Sequence, residues 1–143
     1  MNVPSDTVPG SPDEWLIHAE SDLRYARLGK NDGTVLPGQV CFHAQQAAEK
    51  AIKASLLLRG IDFPRSHDIR ELLEIGRRHG VAVPSLVLAA DSLTPYATQT
   101  RYPGDAEEIT ERDMDAAITA AERVIQWVKE RASSEQHGGG KGQ

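Results

Sequence analysis

Four polar side chains, His43, Gln46, Lys50 and Lys53, recur at three- and four-residue steps inside CFHAQQAAEKAIKASLLLRG, residues 41–60. At about 100° per residue a helix gathers them into an arc of roughly 80°, so they form one row. Two ammonium groups and an imidazole suit an anion, with the amide as a neutral hydrogen-bond partner. The same wheel places Cys41, Ala44, Ala47, Ala48, Ala51, Ala54 and Ser55, joined by Ile52 and Leu58, on another side. A face built from such small groups lets a neighbouring helix backbone approach closely. Phe42, Leu56 and Leu57 interleave with the polar row, which therefore does not read as a face that meets only water. Two readings stay open: a second packing surface, most simply a homodimer interface, or a groove that takes an anionic ligand. Because lysine stems often cover apolar surface, the pattern alone favours an interface or a plain surface over a ligand groove.

Other chemistries find no support. His18 follows Glu14 by four residues, but a di-metal helical site wants paired Glu-x-x-His segments and the chain has none. No zinc-spaced Cys/His set, Gly-rich phosphate loop or nucleophile elbow occurs, so neither a metal nor a cofactor is expected. His79, beside Arg77 and Arg78 at a helix end, suits the negative end of the helix dipole, which is a stabilising role. Cys41 is the single cysteine and sits among apolar neighbours, as a buried small hydrophobe would.

Helices must position the row. Trp15, Ala19, Leu23 and Ala26 predict a first helix over about 13–28, with Gly29 as its stop, and KNDGTVLPGQ as the loop that follows. The row lies on a second helix, about 38–59, closed by Gly60. Asp68 reads as the N-cap of a third helix that ends near Gly80, with Glu71 in a capping-box relation. A fourth spans about 84–97, kinked at Pro95, and TRYPGD follows it. The fifth opens on Thr110 and Asp113 and carries Met114, Ala117, Ala121, Val124 and Val128 on one face. Short loops between long helices predict an all-α, up-and-down bundle over residues 13–131, flanked by disordered tails at 1–12 and 132–143.

The 143 residues suffice for one domain, and an aromatic content of 5% means a core of Ala, Leu, Ile and Val. A net charge of −5 disfavours broad affinity for nucleic acid or anionic lipid, while leaving room for a local basic site. No apolar run approaches a membrane span and the N-terminus lacks the layout of a signal peptide, so a cytoplasmic protein with no membrane partner is expected.

CFHAQQAAEKAIKASLL, followed by SHDIREL and then by RYPG ahead of a last helix, resembles the HEPN family, the higher eukaryote and prokaryote nucleotide-binding domain, over about residues 13–130. The resemblance implies a bundle of four or five helices that usually dimerises. Small stand-alone members are often encoded beside a minimal nucleotidyltransferase, as a two-component toxin–antitoxin-type module, so that enzyme is the implied partner. Residue by residue, His43, Gln46 and Lys50 match the helix-2 row, His67 and Asp68 the His-Asp turn, and Arg101 and Tyr102 the Arg-Tyr-Pro turn. With a nucleotide or RNA, Lys50, Lys53 and Arg101 would neutralise phosphates and Tyr102 or His67 would stack on a base. Each has a plainer use: Asp68 as a cap, His67 as the seat of helix 3, Arg101 as a fastener of its turn, Tyr102 as core. Many members are metal-independent ribonucleases that use an Arg followed, after four to six residues, by a His. That motif is read here as absent, since Arg59 precedes His67 by eight positions and Arg65, Arg77 and Arg78 stand too close to the next His. A binding module is therefore expected over a ribonuclease with an atypical Arg/His pair, or over a purely structural bundle.

Overall fold

The computed structural model describes residues 2–3, 10–98 and 108–140, the first two and 135–140 by backbone alone. Five α-helices dominate: α1 Pro12–Lys30, α2 Pro37–Leu58, α3 Ile69–Arg78, α4 Ser85–Leu88 and α5 Glu111–Gly140. A 3-10 helix, Ala89–Ala97, extends α4. Two short strands, β1 Asn2–Val3 and β2 Phe63–Pro64, pair antiparallel with Val3 opposite Phe63. The expected all-α bundle is the fold of the protein.

Small residues set its centre. Ala44, Ala47, Ala48 and Ala51 on α2, Ala19 and Ala26 on α1 and Ala121 on α5 are wholly inaccessible. With methyl groups in place of longer side chains, α2 packs closely against α1 on one flank and α5 on the other. Arg27–Glu122, Lys30–Asp115 at 2.9 Å and Lys129–Glu20 at 3.0 Å lace α1 to α5 along the surface. Exposed pairs of this kind add little individually, so apolar burial carries the α1–α5 contact.

The helix ends follow local chemistry. Ser11 and Glu14 form a capping box on α1, and Asp68 accepts the Glu71 amide at the start of α3. Gly60 and Gly80 adopt φ of +68° and +91° directly after α2 and α3, a conformation that costs other residues a Cβ clash. Gly29 differs from its expected role as a stop. α1 runs one residue past it, and a Cβ there would meet Val35 Cγ1 at 3.1 Å and Val40 Cγ2 at 3.2 Å, so this glycine permits the close return of the chain into α2.

The fourth element also departs from expectation. Only Ser85–Leu88 is α-helical, and the rest tightens into a 3-10 helix that contains Pro95. Proline has no amide to donate and crowds the carbonyl four residues back, which disfavours the α pattern over that turn. Thr94 in this segment accepts the Ile69 amide at 3.2 Å and so fastens it to the head of α3.

α5 begins as its sequence predicts. Thr110 N–H donates to Asp113 Oδ2 at 2.8 Å while Asp113 N–H donates to Thr110 Oγ1 at 3.1 Å. The Thr110 amide, and after it the Thr110 hydroxyl, hold the Asp113 carboxyl below the usual carboxylate range. A depressed carboxylate stabilises the fold fully above its unfolded pKa and loses that contribution as pH falls through the folded one. Amide exchange in the first turn of α5 is therefore expected to accelerate relative to the middle of the helix as pH is lowered below the usual carboxylate range, after correction for intrinsic rates. Asp113→Ala should remove that difference. α5 continues to Gly140, through residues 132–140 that were expected to belong to the C-terminal tail. No helix among the described residues is long and apolar enough to cross a membrane.

Candidate functional site

The polar row of α2 is drawn inward. Its residues divide between two clusters, each organised around one carboxylate.

The first carboxylate is Asp22 of α1. Its Oδ2 accepts from Lys50 Nζ at 2.6 Å and its Oδ1 faces His43 Nδ1 at 3.1 Å. Asp22 stands on the core-facing stripe of α1, three residues after Ala19 and four before Ala26, which leaves its side chain 15% exposed. An anion so placed needs partners, and the row supplies them. Tyr25, one turn further along α1, lays its ring 4.4 Å from that of His43, and Phe42 meets the same imidazole edge-on at 5.3 Å. Beside Lys50 opens a cleft of about 400 Å³ lined, among the described residues, by Gly10, Glu14, Trp15 and His18.

The second carboxylate is Glu49 of α2 itself, 5% exposed. Gln45 Nε2 donates to Oε1 at 2.8 Å and Lys53 Nζ to Oε2 at 2.9 Å, both one turn away on the same helix. His67, from the loop ahead of α3, brings Nδ1 to 3.0 Å and 3.1 Å from the two oxygens. Gln46 extends the chain by donating to Gln45 Oε1 at 2.8 Å. Lys53 Nζ also lies 5.9 Å from the Phe63 ring centroid, over β2. Each cluster sets one carboxylate against one ammonium, so its net charge turns on its imidazole.

His43 and Lys50 meet at Asp22; Gln46, Lys53 and His67 meet through Gln45 and Glu49. Asp68 points away from both and caps α3, accepting the Glu71 amide at 3.2 Å. Arg101 and Tyr102 lie outside the described residues. Asp22, Tyr25, Gln45 and Glu49 were not expected as members. Two signals mark them in retrospect: an acid at a core position of α1, and the Gln45–Glu49–Lys53 ladder at four-residue steps, a spacing that brings side chains together on a helix. Among the described residues no group of His, Cys, Asp and Glu could hold a metal ion.

One Arg-to-His spacing of the ribonuclease kind does occur, correcting the expectation that none exists. Arg131 and His137 are separated by five residues, both within α5. A continuous helix turns positions six apart by about a third of a revolution away from each other and separates them by about 9 Å along its axis. Arg131 lies with its guanidinium 5.6 Å from the Trp127 ring centroid, and the His137 side chain is outside the described residues.

The chain is similar to proteins of known sequence and structure over nearly all of its helical part. "Putative toxin MJ1304" of Methanocaldococcus jannaschii is 29% identical over 130 residues, which cover 81% of this chain and 84% of that one. The crystal structure of ST0689, an archaeal HEPN homologue, superposes with a TM-score of 0.68 at 35% identity, covering 85% of this chain and 98% of that one. The crystal structure of TT1696 from Thermus thermophilus gives 0.71 at 32% identity over 83% and 96%. The family model of the HEPN domain matches residues 12–131, from the first turn of α1 to Arg131 of α5, and the chain belongs to the HEPN domain family.

Proposed function

We propose that the protein is a toxin-like HEPN component whose α2 row receives the anionic part of a nucleotide or RNA, and that it acts as a homodimer together with a minimal nucleotidyltransferase in a toxin–antitoxin-type pair. The observation that carries the reading is the polar arc itself. Gln45, Glu49 and Lys53 are buried on the helix that forms the centre of the bundle. A buried ion pair commonly stabilises a fold less than apolar residues of the same volume would. A chain that keeps one there, beside the anchored imidazole of His67, supports a use beyond packing. The similarity to the Methanocaldococcus jannaschii protein supports the toxin-like role. The cleft beside Lys50 has the volume of a small-ligand site and an indole, Trp15, in its wall. Ile17, Tyr25 and Leu28 stand exposed along α1 and offer a second copy an apolar stripe.

Titration with ATP, GTP and a short RNA, followed by amide NMR, tests the reading. Saturable shifts centred on residues 43–53 are expected, and Lys50→Ala/Arg101→Ala should weaken them about tenfold or more, in line with the loss of charge-assisted bonds. Shifts absent at millimolar ligand would overturn it. Light scattering of the same sample should give twice the chain mass, and a monomer would remove the dimer from the proposal. Co-expression with a nucleotidyltransferase encoded next to the gene should yield a complex that survives purification; separate elution would remove that partner.

A further inference from the structure

Among the described residues, His67 has a hydrogen-bond partner at one ring nitrogen, Nδ1, and none at the other. Its side chain is 69% exposed, yet Nδ1 sits within hydrogen-bond distance of both oxygens of a carboxylate that is 5% exposed. That carboxylate is itself fixed by Gln45 and Lys53. A carboxylate facing an ammonium has only lone pairs to offer, so Nδ1 must be the donor. The tautomer follows: Nδ1 carries the hydrogen, and Nε2 of the neutral ring presents a lone pair.

The neighbouring donors are occupied. Lys53 directs its ammonium to Glu49 and is 10% exposed. At the head of α3 the amides of Asp68, Ile69 and Glu71 are bonded to Ser66 Oγ, Thr94 Oγ1 and Asp68 Oδ1. The helix end is therefore no ready anion cradle, and the open position is Nε2.

We propose that His67 binds a phosphate oxyanion only together with a proton. The lone pair of the neutral ring repels an oxyanion, whereas the imidazolium donates to it through Nε2–H. Glu49 holds the ring in place through Nδ1–H, and because Lys53 already balances that carboxylate the proton leaves the cluster with one positive charge for the oxyanion. Among the described residues, the ionisable groups bonded to this cluster are Glu49 and Lys53 of α2, and Asp68, the chain neighbour of His67, is turned to its capping role. Ligand binding and proton uptake become one event. The inference rests on the reading of α2 as an anion-facing row, and assigns to His67 a bond to phosphate instead of stacking on a base.

Calorimetric titration of the full chain in phosphate-free buffers of differing ionisation enthalpy reads the proton directly. The probes are inorganic phosphate, adenosine 5′-monophosphate, adenosine, and a short RNA without terminal phosphates, with the imidazole nitrogens of His67 followed by NMR. Phosphate and the monophosphate should bind with uptake of up to one proton and move the Nε2 resonance; adenosine should do neither. A response to the RNA but not to the monophosphate would assign the oxyanion to a phosphodiester and uphold the proposal. His67→Asn separates support from binding, because the asparagine amide can replace Nδ1–H on Glu49 while nothing replaces Nε2. It should leave stability nearly unchanged, lower affinity about tenfold and abolish proton uptake. Shifts over residues 43–53 with His67 unmoved would overturn this inference and keep the α2 reading. An equal response to adenosine, or unchanged affinity and proton uptake in His67→Asn, would likewise overturn it. No binding by any probe would remove both.

Discussion

Replacing Glu49 with leucine is expected to destabilise the bundle by about 3–5 kcal/mol, the usual cost of removing one partner from a buried pair. The loss comes from what is left behind. Lys53, 10% exposed, would keep an ammonium with no carboxylate beside it, and Gln45 Nε2 would lose its acceptor in a side chain that is wholly inaccessible. Set against a total stability of about 5–15 kcal/mol for a domain, this is a large share. The double variant Glu49→Leu/Lys53→Met should recover the part due to Lys53, because no unpaired charge then stays buried and the volume remains filled, while the part due to Gln45 Nε2 persists. Urea denaturation of the three proteins measures the difference. A loss below about 1 kcal/mol in the single variant would mean that water reaches Lys53 and that the cluster is not a buried network.

The same cluster shows where sequence reading stops. Helical period located the row of His43, Gln46, Lys50 and Lys53, and the alanines opposite it, because both properties belong to one helix and repeat with its turn. Thr110 and Asp113 announced the start of α5 for the same reason: a capping box is complete within four residues. Asp22 and His67 joined the site through chain separations of 21 and 18 residues from His43 and Glu49, which no local period encodes. Glu49 stood in plain view, but a glutamate one turn before a lysine is ordinary on a solvated helix, and only burial by the rest of the bundle makes it a structural anion. The 3-10 turn at Ala89–Ala97 was half visible: Pro95 signalled a disturbance, and the conformation that absorbed it depended on the Thr94 bond to α3.

α3 is the element on which the open imidazole depends, and Leu72→Ala tests its hold. Leu72 is wholly inaccessible and, with Ile52, Leu56, Leu73 and Trp127, surrounds a void of only about 10 Å³ between α2, α3 and α5. Truncating it should cost about 2–5 kcal/mol, from lost transfer free energy and from the cavity that remains. The upper half of that range is expected. The walls come from three separate helices, and Gly76 already brings α3 against Leu56 and Val81, with a Cβ at that glycine 3.6 Å from both, so the site has little freedom to collapse. Leu72→Met, which nearly conserves volume, should cost less than about 1.5 kcal/mol. α3 has only 10 residues, held by buried Ile69, Leu73 and Ile75 and at its edge by Thr94 and the exposed Arg70–Asp91 pair at 2.8 Å, so with Leu72 truncated it should open locally before the bundle unfolds. Amide exchange in residues 69–78 of Leu72→Ala should then become faster than in α2, and the His67 bond to Glu49 should weaken with it, since the loop that carries His67 ends on the first turn of α3. Exchange that rises equally in α2 and α3 would show instead that the two helices open as one unit, and that the imidazole is held by the whole bundle.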